Sequence, residues 1–192
     1  MILKNFFQYK KNRMQLFPYK KNGVQFFDLK QFEEAIKNFD KAIEIDPQNF
    51  ECWLWRGISK QELKKYEEAI KDFDKTIEIN PQNFESWFWR GASKHELKKY
   101  EEAIKDFDKA IEINPDFYPS WHRRGQSKYF LNQYEEAIKD FDKTIEINPQ
   151  KFESWSWRGL SKYELKKYEE AIKDFDKVIE INPDFYLSWY RR

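Results

Sequence analysis

Apolar residues along this chain follow a helical spacing that restarts every 34 positions. In YEEAIKDFDKTIEINP (Tyr66–Pro81) the apolar residues Tyr66, Ala69, Ile70, Phe73 and Ile77 are separated by three, four or one positions, the period of an amphipathic helix. On the opposite face Glu67 and Lys71 stand at i, i+4 and Lys71 and Asp74 at i, i+3, a pattern that predicts a solvent-facing surface. Asn80 and Pro81 end the segment. The stretch FESWFWRGASKHEL (Phe84–Leu97) has no internal proline and places Trp87, Gly91 and Leu97 on one side. It predicts the first helix of a pair, with turns at the Lys-Lys dipeptides before Tyr66, Tyr100 and Tyr168.

Gly23, Gly57, Gly91, Gly125 and Gly159 lie 34 residues apart, as do Pro47, Pro81, Pro115, Pro149 and Pro183. A fixed period of this length marks an array of supersecondary units. With proline at position 32 of each unit, a basic extension at 1–15 is followed by repeats at 16–49, 50–83, 84–117, 118–151 and 152–185, and by the start of a sixth at 186–192. Each repeat is expected to be an antiparallel helix hairpin with helices of ~13 residues, about 20 Å long. One hairpin cannot bury its own apolar face, so neighbours must stack into a solenoid.

The repeated residues resemble the tetratricopeptide repeat, whose pattern runs Trp, Leu-Gly, Tyr, Ala-x-x-x-Phe and Pro over 34 residues. Trp53, Gly57, Ala69, Phe73 and Pro81 carry it in the second repeat. Trp87, Gly91, Ala103, Phe107 and Pro115 carry it in the third, Trp121, Gly125, Ala137, Phe141 and Pro149 in the fourth, and Trp155, Gly159, Ala171, Phe175 and Pro183 in the fifth. The first repeat has Tyr19 in place of Trp. The resemblance spans 16–192 and implies an all-α fold, a right-handed α-solenoid of helix-turn-helix repeats. On this reading Gly57 and Ala69 are small where the paired helices approach, and Trp53 and Phe73 fill wider gaps. The family's Leu and Tyr are replaced by Arg56, Arg90, Arg124 and Arg158 and by Lys60, Lys94, Lys128 and Lys162. Cations on a core-facing stripe need partners. Asp72, Asp106, Asp140 and Asp174 are the candidates; the alternative is that the long side chains snorkel to the rim. The first repeat changes all three positions together, to Asn22, Phe26 and Asn38.

Charge narrows the function. The 35 Lys and Arg against 34 Asp and Glu leave a net charge of +1, unlike a chain built mainly for nucleic acid or an anionic membrane. Residues 1–27 hold six cations and no acid, which leaves −5 for the remainder; this places RNA binding through the basic end lowest. No apolar run approaches the ~20 residues of a membrane span, no secretory signal is evident at residues 1–15, and Cys52 is the single cysteine. A cytoplasmic chain is expected.

Catalytic chemistry has little support. Every glycine belongs to a repeat position, so there is no phosphate-binding loop. His95 and His122 are offset by seven positions on adjacent repeats, ~10 Å along the axis and ~9 Å sideways, too far apart for one metal. Glutamate pairs such as Glu67 and Glu68 recur in every repeat and read as solvation, and Cys52 as a buried apolar residue. No enzyme activity, cofactor or metal is expected.

The second helices are near copies, whereas positions 2, 5, 9, 12 and 13 of the first helices vary and share one face. In the family this sequence resembles, that face lines the concave groove where a partner peptide lies. Carried onto this chain, the groove comprises Leu54, Ile58, Gln61, Phe88, Ala92, His95, His122, Gln126, Tyr129, Phe130, Leu160 and Tyr163, with Lys20, Asp28 and Ser156 beside them. Its acidic edge is Glu51, Glu62, Glu85, Glu96, Glu153 and Glu164. Such a groove suits a protein or peptide with apolar anchors and some Lys or Arg. Trp55, Trp89 and Trp157 sit beside it, as hot-spot aromatics or as packing on the preceding repeat.

Family members that grip acidic chaperone tails carry Lys and Asn at positions 5 and 9, Asn at 6 of the next repeat, and Lys and Arg at 2 and 6 of the third. Here those positions hold Lys20, Val24, Trp55, Glu85 and Trp89 in one register. In the next they hold Leu54, Ile58, Trp89, Pro119 and Arg123, and in the third Phe88, Ala92, Arg123, Glu153 and Trp157. The clamp is absent. The sequence therefore points to an interaction scaffold or adaptor, and secondarily to self-association in which Trp189 and Tyr190 of the partial sixth repeat stack on another copy.

Overall fold

The structure is a computed structural model that describes residues 2–184, with side chains from residue 15 onward. The described residues form ten α-helices and no strand. They fall into two compact units, Met1–Leu97 and Lys98–Arg192. The first contains α1 (Ile2–Asp28), α2 (Phe32–Ile45), α3 (Phe50–Glu62), α4 (Tyr66–Ile79) and α5 (Phe84–Glu96). The second contains α6 (Tyr100–Ile113), α7 (Tyr118–Phe130), α8 (Tyr134–Ile147), α9 (Phe152–Glu164) and α10 (Tyr168–Ile181). From α3 on, first helices have 13 residues and second helices 14. Helix α1 runs unbroken from the basic extension through the first helix of repeat 1, with Pro18 inside it. Trp189, Tyr190 and the rest of the partial sixth repeat lie outside the described residues.

The turn within a hairpin is a backbone motif. Lys64 stands at φ 59°, its N–H donates to the Gln61 carbonyl at 2.8 Å, and the Lys65 N–H donates to the Lys60 carbonyl at 2.9 Å. This is a Schellman ending, which satisfies helix-end carbonyls and ordinarily takes glycine at the left-handed position. Lys30, Lys98, Asn132 and Lys166 hold the same conformation. Between repeats, Asn49 and Asn83 cap α3 and α5 by accepting the N–H groups of Cys52 and Ser86.

The glycines remain inside the first helices because of what faces them. A Cβ on Gly57 would stand 2.6 Å from Phe73 Cε1, and one on Gly23, Gly125 or Gly159 would meet the rings of Phe39, Phe141 or Phe175 at 2.6 to 2.8 Å. Phe39, Phe73 and Phe141 are fully buried, as are Ala35, Ala69 and Ala137. Glycine thus makes room for the phenylalanine ring of the paired helix, and Trp53 packs against the cluster of Leu16, Ala35, Phe39, Ala42, Ile43 and Cys52. Trp53 is half-buried at the rim, donates from Nε1 to the Pro47 carbonyl at 2.9 Å, and lies under Arg56 at 4.6 Å. Trp87, Trp121 and Trp155 repeat both contacts with Pro81, Pro115 and Pro149 and with Arg90, Arg124 and Arg158. The tryptophan therefore ties each first helix to the proline that ended the preceding second helix.

The cations on the core-facing stripe form ion pairs. Arg56 donates to both carboxylate oxygens of Asp72, at 2.9 and 2.6 Å, and Lys60 Nζ reaches the same carboxylate at 2.8 Å. The Asp72 side chain is 3% exposed. Arg56 also reaches Asp40 of the preceding repeat at 2.5 Å, and Arg90 reaches Asp74 at 2.6 Å. In the second unit Arg124 bridges Asp140 and Asp108, and Arg158 bridges Asp174 and Asp142, with Lys128 and Lys162 completing the sites. Burial opposes the charge on Arg56, but the hydrogen bonds and charges of Asp72 and then Asp40 outweigh it and raise the guanidinium pKa. Asp74, which the helical pattern places on the solvent face, is thereby drawn into a link between repeats.

Candidate functional site

Within the first unit, α1, α3 and α5 border a cleft of about 690 Å³. Leu54 and Ile58 lie at its base, 5% and 7% exposed, and pack with Ala69, Phe73, Phe27, Trp55 and Trp89. Phe27, Phe50, Trp55, Trp89 and Asn83 line the walls, and Glu51, Glu62 and Glu85 the rim. Five residues of the sequence-derived groove and edge, Leu54, Ile58, Glu51, Glu62 and Glu85, are thus brought together. Phe27, Phe50 and Asn83 escaped the sequence reading. They come from helix ends, where no run of variable positions marks them. Trp55 meets Phe27 edge-on with ring centres 5.1 Å apart, so it both packs on the preceding repeat and borders the cleft. Glu51 is ion-paired with Lys20; neither Glu62 nor Glu85 has an ion-pair partner among the described residues.

The other predicted groove residues of this unit do not border that cleft. Phe88, Ala92 and His95 are buried, and Gln61 accepts a hydrogen bond from Ser93 Oγ at 2.8 Å. Glu96 is exposed.

The second unit carries an aromatic cluster. Phe130, 46% exposed, stacks on Tyr100 at 5.1 Å and meets Trp157 at 5.8 Å. Tyr129 contacts Trp157 at 5.2 Å and Tyr134 at 5.3 Å. Burial and then the Glu164 carboxylate push the Tyr129 phenol pKa up. Tyr163 is exposed against Tyr168, and Leu160 and Gln126 are half-buried. His122 is buried, its Nδ1 2.7 Å from Ser154 Oγ, and Glu153 pairs with Lys151 at 2.8 Å.

No group of three or more metal-ligating side chains occurs among the described residues, and no helix there is long and apolar enough to cross a membrane. Cys52 is buried, and burial raises its thiol pKa to about 11.

The tetratricopeptide repeat profile matches residues 50–83, 84–117, 118–151 and 152–185, and a second TPR repeat profile matches 23–64. The chain belongs to the tetratricopeptide repeat family. Among solved structures this tetratricopeptide repeat protein is similar to MamA, at TM-score 0.81 and 22% identity over 88% of this chain and 92% of that one. MamA 41-end from Desulfovibrio magneticus RS-1 superposes at TM-score 0.83 with 19% identity, over 88% and 96%. YrrB, a TPR protein with an unusual peptide-binding site, superposes at 0.78 with 21% identity, over 95% and 94%. At these identities the likeness is one of fold. No curated protein matches the chain in sequence.

Proposed function

We propose that this chain is a protein-interaction scaffold whose variable first-helix face takes an extended or helical peptide. The observation that carries this reading is the first-unit cleft. Leu54 and Ile58, at positions that change between repeats, form an apolar base there beneath a carboxylate rim, whereas the repeated glycine, phenylalanine, arginine and aspartate are used in hairpin packing and the Arg–Asp links. Concave, mostly apolar sites with a few placed polar groups are what peptide side chains anchor in. The aromatic cluster around Phe130 and Trp157 is the corresponding surface of the second unit. Rows of Glu leave no place for an acidic tail, so the partner carries apolar anchors and basic residues. YrrB provides a precedent for peptide binding on such a scaffold.

A display selection of random 12-residue peptides on the full chain tests this, with a Glu62→Lys/Phe130→Ser variant as counter-target. Glu62 and Phe130 are exposed, so the substitutions fall on the surface. Peptides enriched on the wild type and lost on the variant are expected. Peptides retained equally by both would contradict the first-helix face.

A further inference from the structure

We infer that the first-unit cleft contains a subsite for an arginine side chain of the partner peptide. The inference rests on the peptide-scaffold reading and adds the chemistry that fills its first-unit part. The cleft combines indole rings with carboxylates: Trp55 and Trp89 stand on its walls, Glu62 and Glu85 on its rim, and Leu54 and Ile58 at its base. A guanidinium on an aliphatic stem matches all three components. The stem covers apolar surface, the planar cation stacks on an aromatic ring, and the N–H groups fork onto carboxylate oxygens.

The chain already solves the same problem internally. Arg56 lies 4.6 Å from the Trp53 ring and bonds the carboxylates of Asp72 and Asp40. Arg124 and Arg158 repeat this with Trp121 and Trp155 and two aspartates each. In the cleft the indoles and carboxylates are present without a lining cation; Lys20, which is not among the lining residues, pairs with Glu51. Glu62 and Glu85 are left without an ion-pair partner among the described residues. That uncompensated charge beside tryptophan selects a cationic guest, and its fork geometry favours arginine over lysine.

The test uses Nα-acetyl-arginine amide and Nα-acetyl-citrulline amide, equal in shape and different in charge, titrated against the full chain while the tryptophan indole N–H signals are followed by NMR. The arginine compound is expected to shift two indole signals at millimolar concentration, with roughly tenfold weaker binding of citrulline. Glu62→Gln/Glu85→Gln should remove that preference. Lys20→Ala, which releases Glu51, should strengthen arginine binding about two- to threefold, an effect that a purely structural lysine would not produce. Equal shifts from both compounds, or none, would overturn the arginine subsite. The random-peptide selection distinguishes the two levels: enriched apolar peptides without Arg leave the scaffold reading standing while the subsite falls, and no enrichment at all removes the scaffold reading itself.

Discussion

Replacing Asp72 by alanine probes the ion-pair ladder where its physics is clearest. The carboxylate is 3% exposed and accepts from Arg56 Nε and Nη2 at 2.9 and 2.6 Å and from Lys60 Nζ at 2.8 Å. Its removal leaves two cations, 14% and 13% exposed, facing a cavity without their counter-charge. Breaking a buried pair by deleting one partner costs about 3–5 kcal/mol. Arg56 keeps Asp40 and the Trp53 ring, so the lower end, about 3 kcal/mol, is expected. A urea titration followed by far-UV circular dichroism reads the loss. The companion variant Arg56→Met/Lys60→Met/Asp72→Leu, which replaces the cluster by apolar groups of similar volume, should recover most of it, because desolvation offsets much of the attraction in such pairs. A loss below about 1 kcal/mol for Asp72→Ala would match an exposed pair and refute the buried network.

Three further outcomes follow from the same geometry. Gly57→Ala should destabilise by about 1–3 kcal/mol in spite of alanine's better helix propensity, because the new Cβ stands 2.6 Å from the fully buried Phe73 ring; recovery in Gly57→Ala/Phe73→Leu would localise the clash, and a neutral single variant would deny it. Lys64→Gly should raise the melting temperature, since a left-handed lysine at φ 59° is disfavoured relative to glycine by about 1 kcal/mol; a lower melting temperature would contradict the Schellman ending. For Cys52 burial lifts the thiol pKa in the folded chain to about 11, above the ordinary 9.0, so the folded state holds its proton more tightly. Stability should fall as pH rises from about 9 to 11, by about 2–3 kcal/mol relative to Cys52→Ala, and equal pH profiles for the two proteins would refute the buried thiol.

The hairpin array could be read from the chain because both of its determinants are local. The spacing of Tyr66, Ala69, Ile70, Phe73 and Ile77 selects a helix, and the 34-residue recurrence of glycine and proline sets its length. Contacts across helices were less legible. A helical period says which residues share a face but not what they meet, so Gly57 was matched with Ala69 when the structure pairs it with Phe73. Asp72 was foreseen as a partner of Arg56, whereas Asp74 was assigned to solvent and Asp40 was not singled out. Their signal was available: each lies 16 residues before an arginine, as Asp72 lies 16 after one. Variation between repeats singled out Leu54 and Ile58, which line the cleft, and Ala92, His95 and His122; all five are buried. Variation alone does not say how far such a residue is exposed.

The most direct test of the scaffold reading is a crystal structure of the full chain with the tightest-binding peptide from the selection. The peptide is expected along the first helices, an apolar side chain on Leu54 and Ile58 and a basic one between Trp89 and Glu62 or Glu85. A peptide bound instead on the second-helix surface around Glu67 and Lys71 would contradict it.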